Sequence, residues 1–264
     1  MIHFRTHIGI GDLLILRDFI EWVRPQYDHD ICIDLNKTKG IEARGPLYFE
    51  FVQELLKSLL PDNSHIRILK TCPMPSNNLG GDYYRAVICE PGERDGRIVK
   101  FTYVDHVKPN LSLDGHWLPE NDSWNFGGPY SVITTRCRPT VPSHAHLKKE
   151  IVKLVDKGHK IVLLGEKEKT MDFASMYSLV QEVLKDIGVE PIDLTTSSLT
   201  LKGFHEENQI MKDAETHLCY GFGGNMVRGI YCNKNNVLCY LPETILSHPF
   251  VLRAMVLDVN IGTF

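Results

Sequence analysis

Three short stretches of the chain carry residue types suited to holding phosphate or taking up a proton. The first is Gly9-Ile10-Gly11-Asp12, set between a short apolar run and a helical pattern. Glycines in such a turn let a ligand approach the backbone, and the helix start that follows offers unpaired N–H groups and a partial positive charge. Gly9 and Gly11 are therefore candidate phosphate or turn residues. Asp12 places a carboxylate at the carboxyl edge of a strand, where α/β enzymes keep their chemistry. The bland reading stands beside it: glycine for the turn, and Asp12 as a first-turn helix acid. The second stretch, Thr134-Thr135-Arg136-Cys137-Arg138, follows a strand and joins two hydroxyls to two guanidiniums. Arginine grips phosphate oxygens through paired hydrogen bonds, so this set suits a diphosphate, although a solvated basic loop reads the same way. The third runs from Tyr220 to Arg228, with Gly221, Gly223 and Gly224 ahead of a helix whose first turns hold Asn225 and Arg228. It is a second place for phosphate at a helix N-terminus, or else a close helix–strand contact that needs small residues. Glu166, after the strand Lys160–Leu164, offers a carboxylate to ribose hydroxyls or to a local cap.

Other chemistries find less support. The dinucleotide fingerprint would need glycine where Leu14 stands, and no GxxxxGK[ST] loop, GxSxG elbow or HExxH pair occurs. His144 and His146 are too close for a helical metal pair, and the seven cysteines are scattered without a CxxC. No metal site is expected, and the thiols read as free in a reducing compartment. A formal net charge of -4 speaks against a general nucleic-acid binder. The first residues lack the zones of a signal peptide, and no apolar run approaches the ~20 residues that cross a bilayer, so the expectation is a cytoplasmic protein with no integral membrane segment. Trp117, Trp124 and Phe126 form either a sugar-stacking surface or an anchor for the connection that holds them.

The elements that must position these residues follow from periodicity. The 264 residues, 43% hydrophobic and 23% charged, suffice for one large domain or two modest ones with real cores. Ile2–Ile8 reads as a strand, and Leu13, Leu16, Ile20 and Val23 line a helix face that stops near Pro25. Strands are expected at Asp30–Leu35, His65–Leu69, Ala86–Cys89 and Val99–Val104, with an amphipathic helix over Leu47–Leu60. Residues 91–130, rich in Gly, Pro, Asn and Asp, read as an irregular connection whose end divides two lobes. Beyond it strands and helices alternate: Tyr130–Thr134, a helix over His144–Asp156 closed by Gly158, Lys160–Leu164, a helix over Phe173–Ile187, Glu190–Leu194, His217–Tyr220, a helix from Gly223, and Asn236–Leu241. That alternation predicts an α/β fold with a parallel sheet in the second half.

In the order of its three sites the chain resembles the GT-B glycosyltransferases, and within them the heptosyltransferase-like (GT9-like) group. The residues that carry this are His7-Ile8-Gly9-Ile10-Gly11-Asp12-Leu13-Leu14, Thr134–Arg138, the KIVLLGE strand ending in Glu166, and Gly223-Gly224-Asn225. The late turn reads YGFGGN, where the family has an acid before the glycine and a histidine after it. The resemblance implies two Rossmann-like lobes with a cleft between them: an acceptor-side lobe over 1–127, a nucleotide-sugar lobe over 128–246, and a C-terminal helix, 247–264, crossing back. It implies transfer of a sugar from a nucleotide-diphosphate sugar to a glycan or other hydroxyl acceptor, inverting and without a metal or other cofactor. Asp12 is then the general base, and Thr134, Thr135, Arg136, Arg138, Glu166, Gly223, Gly224, Asn225 and Arg228 hold the donor. Two rivals remain, an epimerase-like sugar-nucleotide enzyme and a non-catalytic nucleotide-sugar-binding protein.

Overall fold

The structure is a computed structural model that describes residues 2–6, 9–23, 25, 31–36, 46–60, 64–69, 85–88, 99–102, 111–137, 141–167, 174–196 and 200–264. They divide into two compact units, Met1–Ser112 with His248–Arg253, and Leu113–Ser247 with Ala254–Phe264.

The first unit holds β1 (Ile2–Thr6), α1 (Ile10–Val23), β2 (Ile31–Asn36), α2 (Pro46–Leu59), β3 (Ser64–Leu69), β4 (Arg85–Ile88) and β5 (Val99–Thr102), its sheet ordered β3-β2-β1-β4-β5. β1, β2 and β3 pair in parallel, as strands joined by crossover helices do. β4 and β5 run antiparallel, so the expected Rossmann-like lobe is realised only in the first three strands. The sequence accounts for this: Cys89–Ile98, between β4 and β5, is polar and glycine-containing and carries no apolar helix stripe. Antiparallel neighbours need no helix between them. α1 begins earlier than its apolar periodicity predicts, and it is buried nearly all round, from Leu13 to Ile20. Even its polar members are committed: Asp18 accepts from Ser112 Oγ at 2.9 Å, and Arg17 bonds the Leu59 carbonyl and pairs with Glu21. α2 is amphipathic, burying Phe51, Val52, Leu55, Leu56 and Leu59.

The second unit contains β6 (Tyr130–Thr134), β7 (Arg136–Cys137), α3 (His144–Asp156), β8 (Lys160–Leu164), β9 (Ala174–Ser175), α4 (Tyr177–Asp186), β10 (Ile192–Asp193), α5 (Leu201–Asp213), β11 (Thr216–Tyr220), α6 (Gly224–Asn233), β12 (Val237–Leu241), α7 (Pro249–Val256, shared with the first unit's residues) and β13 (Asn260–Thr263). Its six-stranded sheet, β10-β8-β6-β11-β12-β13, is parallel throughout. Counted along the chain the strands lie third, second, first, fourth, fifth, sixth, the order of a doubly wound Rossmann sheet. The central strands are buried on both faces, and successive side chains alternate between the two with the period of two that a strand requires. Ile133, Leu163, Leu218 and Tyr220 meet Leu147, Ile151 and Leu154 of α3 and Val180, Val183 and Leu184 of α4 on one face. Tyr130, Val132, Val162 and Leu164 meet Ile210 and Met211 of α5 on the other. α3 ends as its sequence requires, with Gly158 at φ +80° and its N–H on the Val155 carbonyl at 2.8 Å.

Two elements depart from expectation. The helix expected from Phe173 starts at Tyr177, because Ala174 and Ser175 pair with Cys137 and Arg136 instead. The helical stretch expected to run from Pro249 to Val259 stops at Val256, where Asp258 adopts φ +60° and the Val259 N–H caps the Ala254 carbonyl at 3.0 Å; β13 follows and joins the sheet edge. Among the described residues no helix is long and apolar enough to cross a membrane, and Cys137, Cys219, Cys232 and Cys239 are unbridged.

Candidate functional site

In the second unit the chain leaves β6 toward β8 on one side and returns to β11 on the other. Where strand order reverses in this way, the carboxyl ends of the two central strands leave a crevice that loops do not fill. Two of the stretches singled out above end there. After β11, Gly221 takes φ +77°, a left-handed conformation that side chains disfavour, and its N–H donates to the Tyr240 carbonyl at 2.9 Å. The Gly223 carbonyl then accepts the first helical bond of α6, from Val227 N at 3.1 Å. A Ser143 hydroxyl caps α3 and a Thr200 hydroxyl caps α5, but no side chain caps α6 and no acid stands in its first turn. Its leading N–H groups thus retain their partial positive charge. The side-chain amide nitrogen of Asn225 is buried there without a hydrogen-bond partner. Arg136, two residues beyond the end of β6, lines the same shallow depression as Gly223, Gly224 and Asn225, with Cys137, Tyr220 and Met226 among the residues of its wall. A guanidinium, an uncapped helix start and an unmatched amide donor converge on one spot, and together they suit an anion.

Arg136 is not on the loose basic turn that the sequence predicts. It sits on β7, paired with Ser175 of β9, and its Nη1 lies 3.3 Å from Glu166 Oε1. With both side chains about a quarter exposed, at 21% and 26%, this pair orients the guanidinium more than it stabilises the fold. Thr135 tightens the same corner: its N–H donates to the Leu164 carbonyl at 2.9 Å and its hydroxyl to the Glu166 carbonyl at 2.8 Å. Gly165, at φ +99°, brings the β8 loop within 3.0 Å of the Thr135 hydroxyl, measured from where a Cβ would stand. Arg138 lies outside the described residues.

Thr134, Thr135 and Arg228 serve this geometry from behind. Thr134 and Thr135 are wholly buried, and Thr134 Oγ1 lies 3.4 Å from His217 Nε2. Burial first, and then the charge of Arg228, push the His217 imidazole down to about 3, so it is neutral at ordinary pH. Arg228, expected to add charge at the turn, instead faces the interior at 3% exposure. It donates to Glu207 at 2.8 Å, Asn208 Oδ1 at 3.1 Å and the Phe204 carbonyl at 3.3 Å, and its guanidinium lies 4.5 Å from the Phe204 ring centre. The positive charge is matched by Glu207, so Arg228 fastens α6 to α5. Gly229, next along α6, passes so near His217 that a Cβ would meet Nδ1 at 2.0 Å. Reading the sequence missed this brace, since α5 was not foreseen; the Thr200 cap and the spacing of Phe204 and Met211 were the signals for it. Burial pushes the Cys137 thiol up to about 11, which keeps it protonated at ordinary pH.

In the first unit, Asp12 occupies the first turn of α1, whose opening bond runs from Leu13 N to the Gly9 carbonyl at 3.1 Å. The carboxylate folds over Gly9 so closely that a Cβ there would lie 2.6 Å from Oδ2. A side chain at position 9 would displace the Asp12 carboxylate from this position, and Gly11 is buried beneath the same turn. Among the aromatics, Trp117 packs on Tyr231 with ring centres 5.4 Å apart, and Phe126 lies edge-on to Tyr130 at 4.8 Å, which makes both anchors. Trp124 stacks on Phe126 and remains 38% exposed. Among the described residues no three His, Cys, Asp or Glu side chains are grouped to hold a metal ion.

A scan of protein-family models finds no match, and a search of curated proteins finds none either. Among solved structures, the chain is similar to the glycosyl transferase family 9 protein from Veillonella parvula DSM 2008, with 13% identity and a TM-score of 0.49 over 90% of this chain and 79% of that one. It is also similar to the E. coli heptosyltransferase WaaC with ADP, with 11% identity and a TM-score of 0.39 over 90% of this chain and 86% of that one.

Proposed function

We propose that this chain is a glycosyltransferase that takes its sugar from a nucleotide-diphosphate sugar. One observation carries the donor half of the reading: Arg136, the uncapped start of α6 and the Asn225 amide meet at the switch point of a doubly wound parallel sheet. A diphosphate there meets a full positive charge and fixed N–H donors that need no reorganisation. The acceptor half rests on the resemblance to the heptosyltransferase-like group, which implies Asp12 as the base. In the reaction an acceptor hydroxyl oxygen attacks the anomeric carbon and passes its proton to Asp12. The bond from that carbon to the diphosphate oxygen breaks, the electron pair leaves with the diphosphate, and the configuration inverts. Arg136 and α6 stabilise the charge that develops, in the place a divalent metal takes in other transferases. Glu166 keeps Arg136 in its orientation, and Gly9 leaves room for the Asp12 carboxylate.

The test is a binding and turnover panel with UDP, GDP, ADP, CMP and their common sugar conjugates, NAD serving as control. One nucleoside diphosphate should raise the melting temperature through its preference for the native state. Arg136→Ala should weaken that affinity about tenfold, the scale of one charged hydrogen bond. Asp12→Asn should keep donor affinity and lose turnover by about a hundredfold or more, as removal of a general base does. A shift with NAD alone, or no shift with any nucleotide, would sink the reading. Donor binding without transfer to any acceptor, indifferent to Asp12→Asn, would leave a nucleotide-sugar-binding protein.

A further inference from the structure

α6 is held differently at its two ends. The far end is pinned: buried Tyr231 packs on the Trp117 ring with centres 5.4 Å apart, and a Cβ on Gly115 would stand 2.2 Å from the Tyr231 carbonyl oxygen. The near end, which carries the glycine turn, has no side-chain cap and no acid in its first turn. What holds it down is the Arg228 brace and a seat on the His217 ring, against which the helix backbone lies directly at Gly229.

That seat fits a neutral ring. His217 is wholly buried, and its Nε2 lies 3.4 Å from Oγ1 of the equally buried Thr134. Its Nδ1 faces α6, where a Cβ on Gly229 would come within 2.0 Å, and has no hydrogen-bond partner. A neutral imidazole carries one N–H and can leave Nδ1 bare, whereas an imidazolium carries two and would bury the second without an acceptor. The surrounding groups do not invite the extra charge. α6 brings Arg228 and Cys232, α5 brings Glu207 and His205, and the same face of the sheet brings the thiols of Cys219 and Cys239. Glu207, the carboxylate among them, is already engaged by Arg228 at 2.8 Å.

We propose that His217 is an acid-sensitive latch: protonation of its ring frees the first turns of α6 while Tyr231 keeps the helix tethered, so that a proton and the nucleotide compete for the seated helix. The competition rests on the donor site proposed above; the unlatching does not. The direction follows from where the proton binds. The seated ring, pushed down to about 3 by burial and then by Arg228, stays neutral, whereas a released ring titrates near the ordinary value of 6.5. The seat is therefore at full strength above that value and weakens as the pH falls through it. His205, lowered by burial and then by Arg228, acts in the same direction.

The experiment is amide hydrogen exchange on the full chain, read by NMR and corrected for the intrinsic rate. Between about pH 7 and about pH 5 the opening constant of the first turns of α6 should rise about twentyfold, the linkage of one histidine. At both values α6 should open more readily than α3, the mark of local release. His217→Gln and His217→Leu, which take up no proton, should cut the rise to severalfold at most, and the measurement on the parent chain stands whether or not they fold. UDP, GDP or ADP should suppress the opening in proportion to occupancy. The latch is overturned if the parent chain shows no rise, if both variants keep it in full, or if α6 and α3 share one opening constant. If acid raises the opening and none of the nucleotides lowers it, the latch holds and the donor site falls.

Discussion

Two arginines, one from each of the later two stretches, do opposite work, and the difference is one of solvation. Arg136 is partly exposed and shares Glu166 with water, so its ion pair contributes little to stability and its guanidinium can face a ligand. Arg228 is buried against Glu207, Asn208 and the Phe204 ring, and removing it leaves the Glu207 carboxylate uncompensated in the interior. Arg228→Ala should therefore cost about 3–5 kcal/mol of stability, whereas Arg136→Ala should cost about 1 kcal/mol or less. Urea denaturation of the two variants checks this. Replacing Arg228 and Glu207 together with Met and Leu should recover much of the loss, because the stranded charge is then gone. Equal losses for Arg136→Ala and Arg228→Ala would show that the burial argument is wrong. Nothing in the residue types separated the two in advance: both are arginines beside a glycine turn or a strand end, and burial belongs to the fold.

At the scale of elements, α6 is the piece that must be placed accurately, because its first turn is the proposed anion site. Its seat depends on Gly229, which lets the helix ride directly on the buried His217 ring. Gly229→Ala sets two effects against each other. Helix propensity favours alanine by about 1 kcal/mol, while a Cβ 2.0 Å from Nδ1 demands that a wholly buried ring move. Overpacking of this kind costs about 1–3 kcal/mol, so the clash wins and the variant should be less stable than the parent. It should also bind nucleoside diphosphate more weakly, since the helix start shifts with the ring; a denaturation curve and a titration read the two outcomes. Elements with a strong period were legible in the sequence. β6, β8 and α3 fall on the residues expected, since an apolar run or a helical stripe marks each, and Gly158 supplies a stop for α3. α5 was harder to read because the polar Glu207, Asn208 and Gln209 occupy buried positions, the first two of them bonded to Arg228 from another helix. β7 and β9 are two residues long and have no period to read. β13 hid inside an apolar tail because the break before it is made by Asp258 in a left-handed conformation, without glycine or proline. The glycine turn and Arg136 were readable as phosphate-type residues, yet their meeting in one depression follows from the reversal of strand order, which no local pattern states.

At the scale of the molecule, the sheet of the second unit is assembled from partners far apart in the chain. β6 pairs with β8 after one helix, as in Val132 opposite Val162, but its other neighbour is β11, with Ser131 opposite Thr216. Bringing distant segments together costs loop entropy before any contact repays it, so parallel sheets of this kind fold slowly. The β6–β8–β10 half closes shorter loops and is expected to form ahead of the β6–β11 contact. The crevice proposed to hold the diphosphate exists only once β11 has docked, and it is therefore expected among the last features of the unit to appear. A nucleoside diphosphate consequently finds nothing to hold in the folding transition state. Stopped-flow measurements should show that it leaves the refolding rate unchanged and slows unfolding in proportion to its occupancy. Acceleration of refolding by the nucleotide would mean that β6 and β11 meet early. The reversal of strand order that creates the crevice thus also sets its timing, and the protein acquires resistance to unfolding from its ligand only after the rest of the sheet is in place.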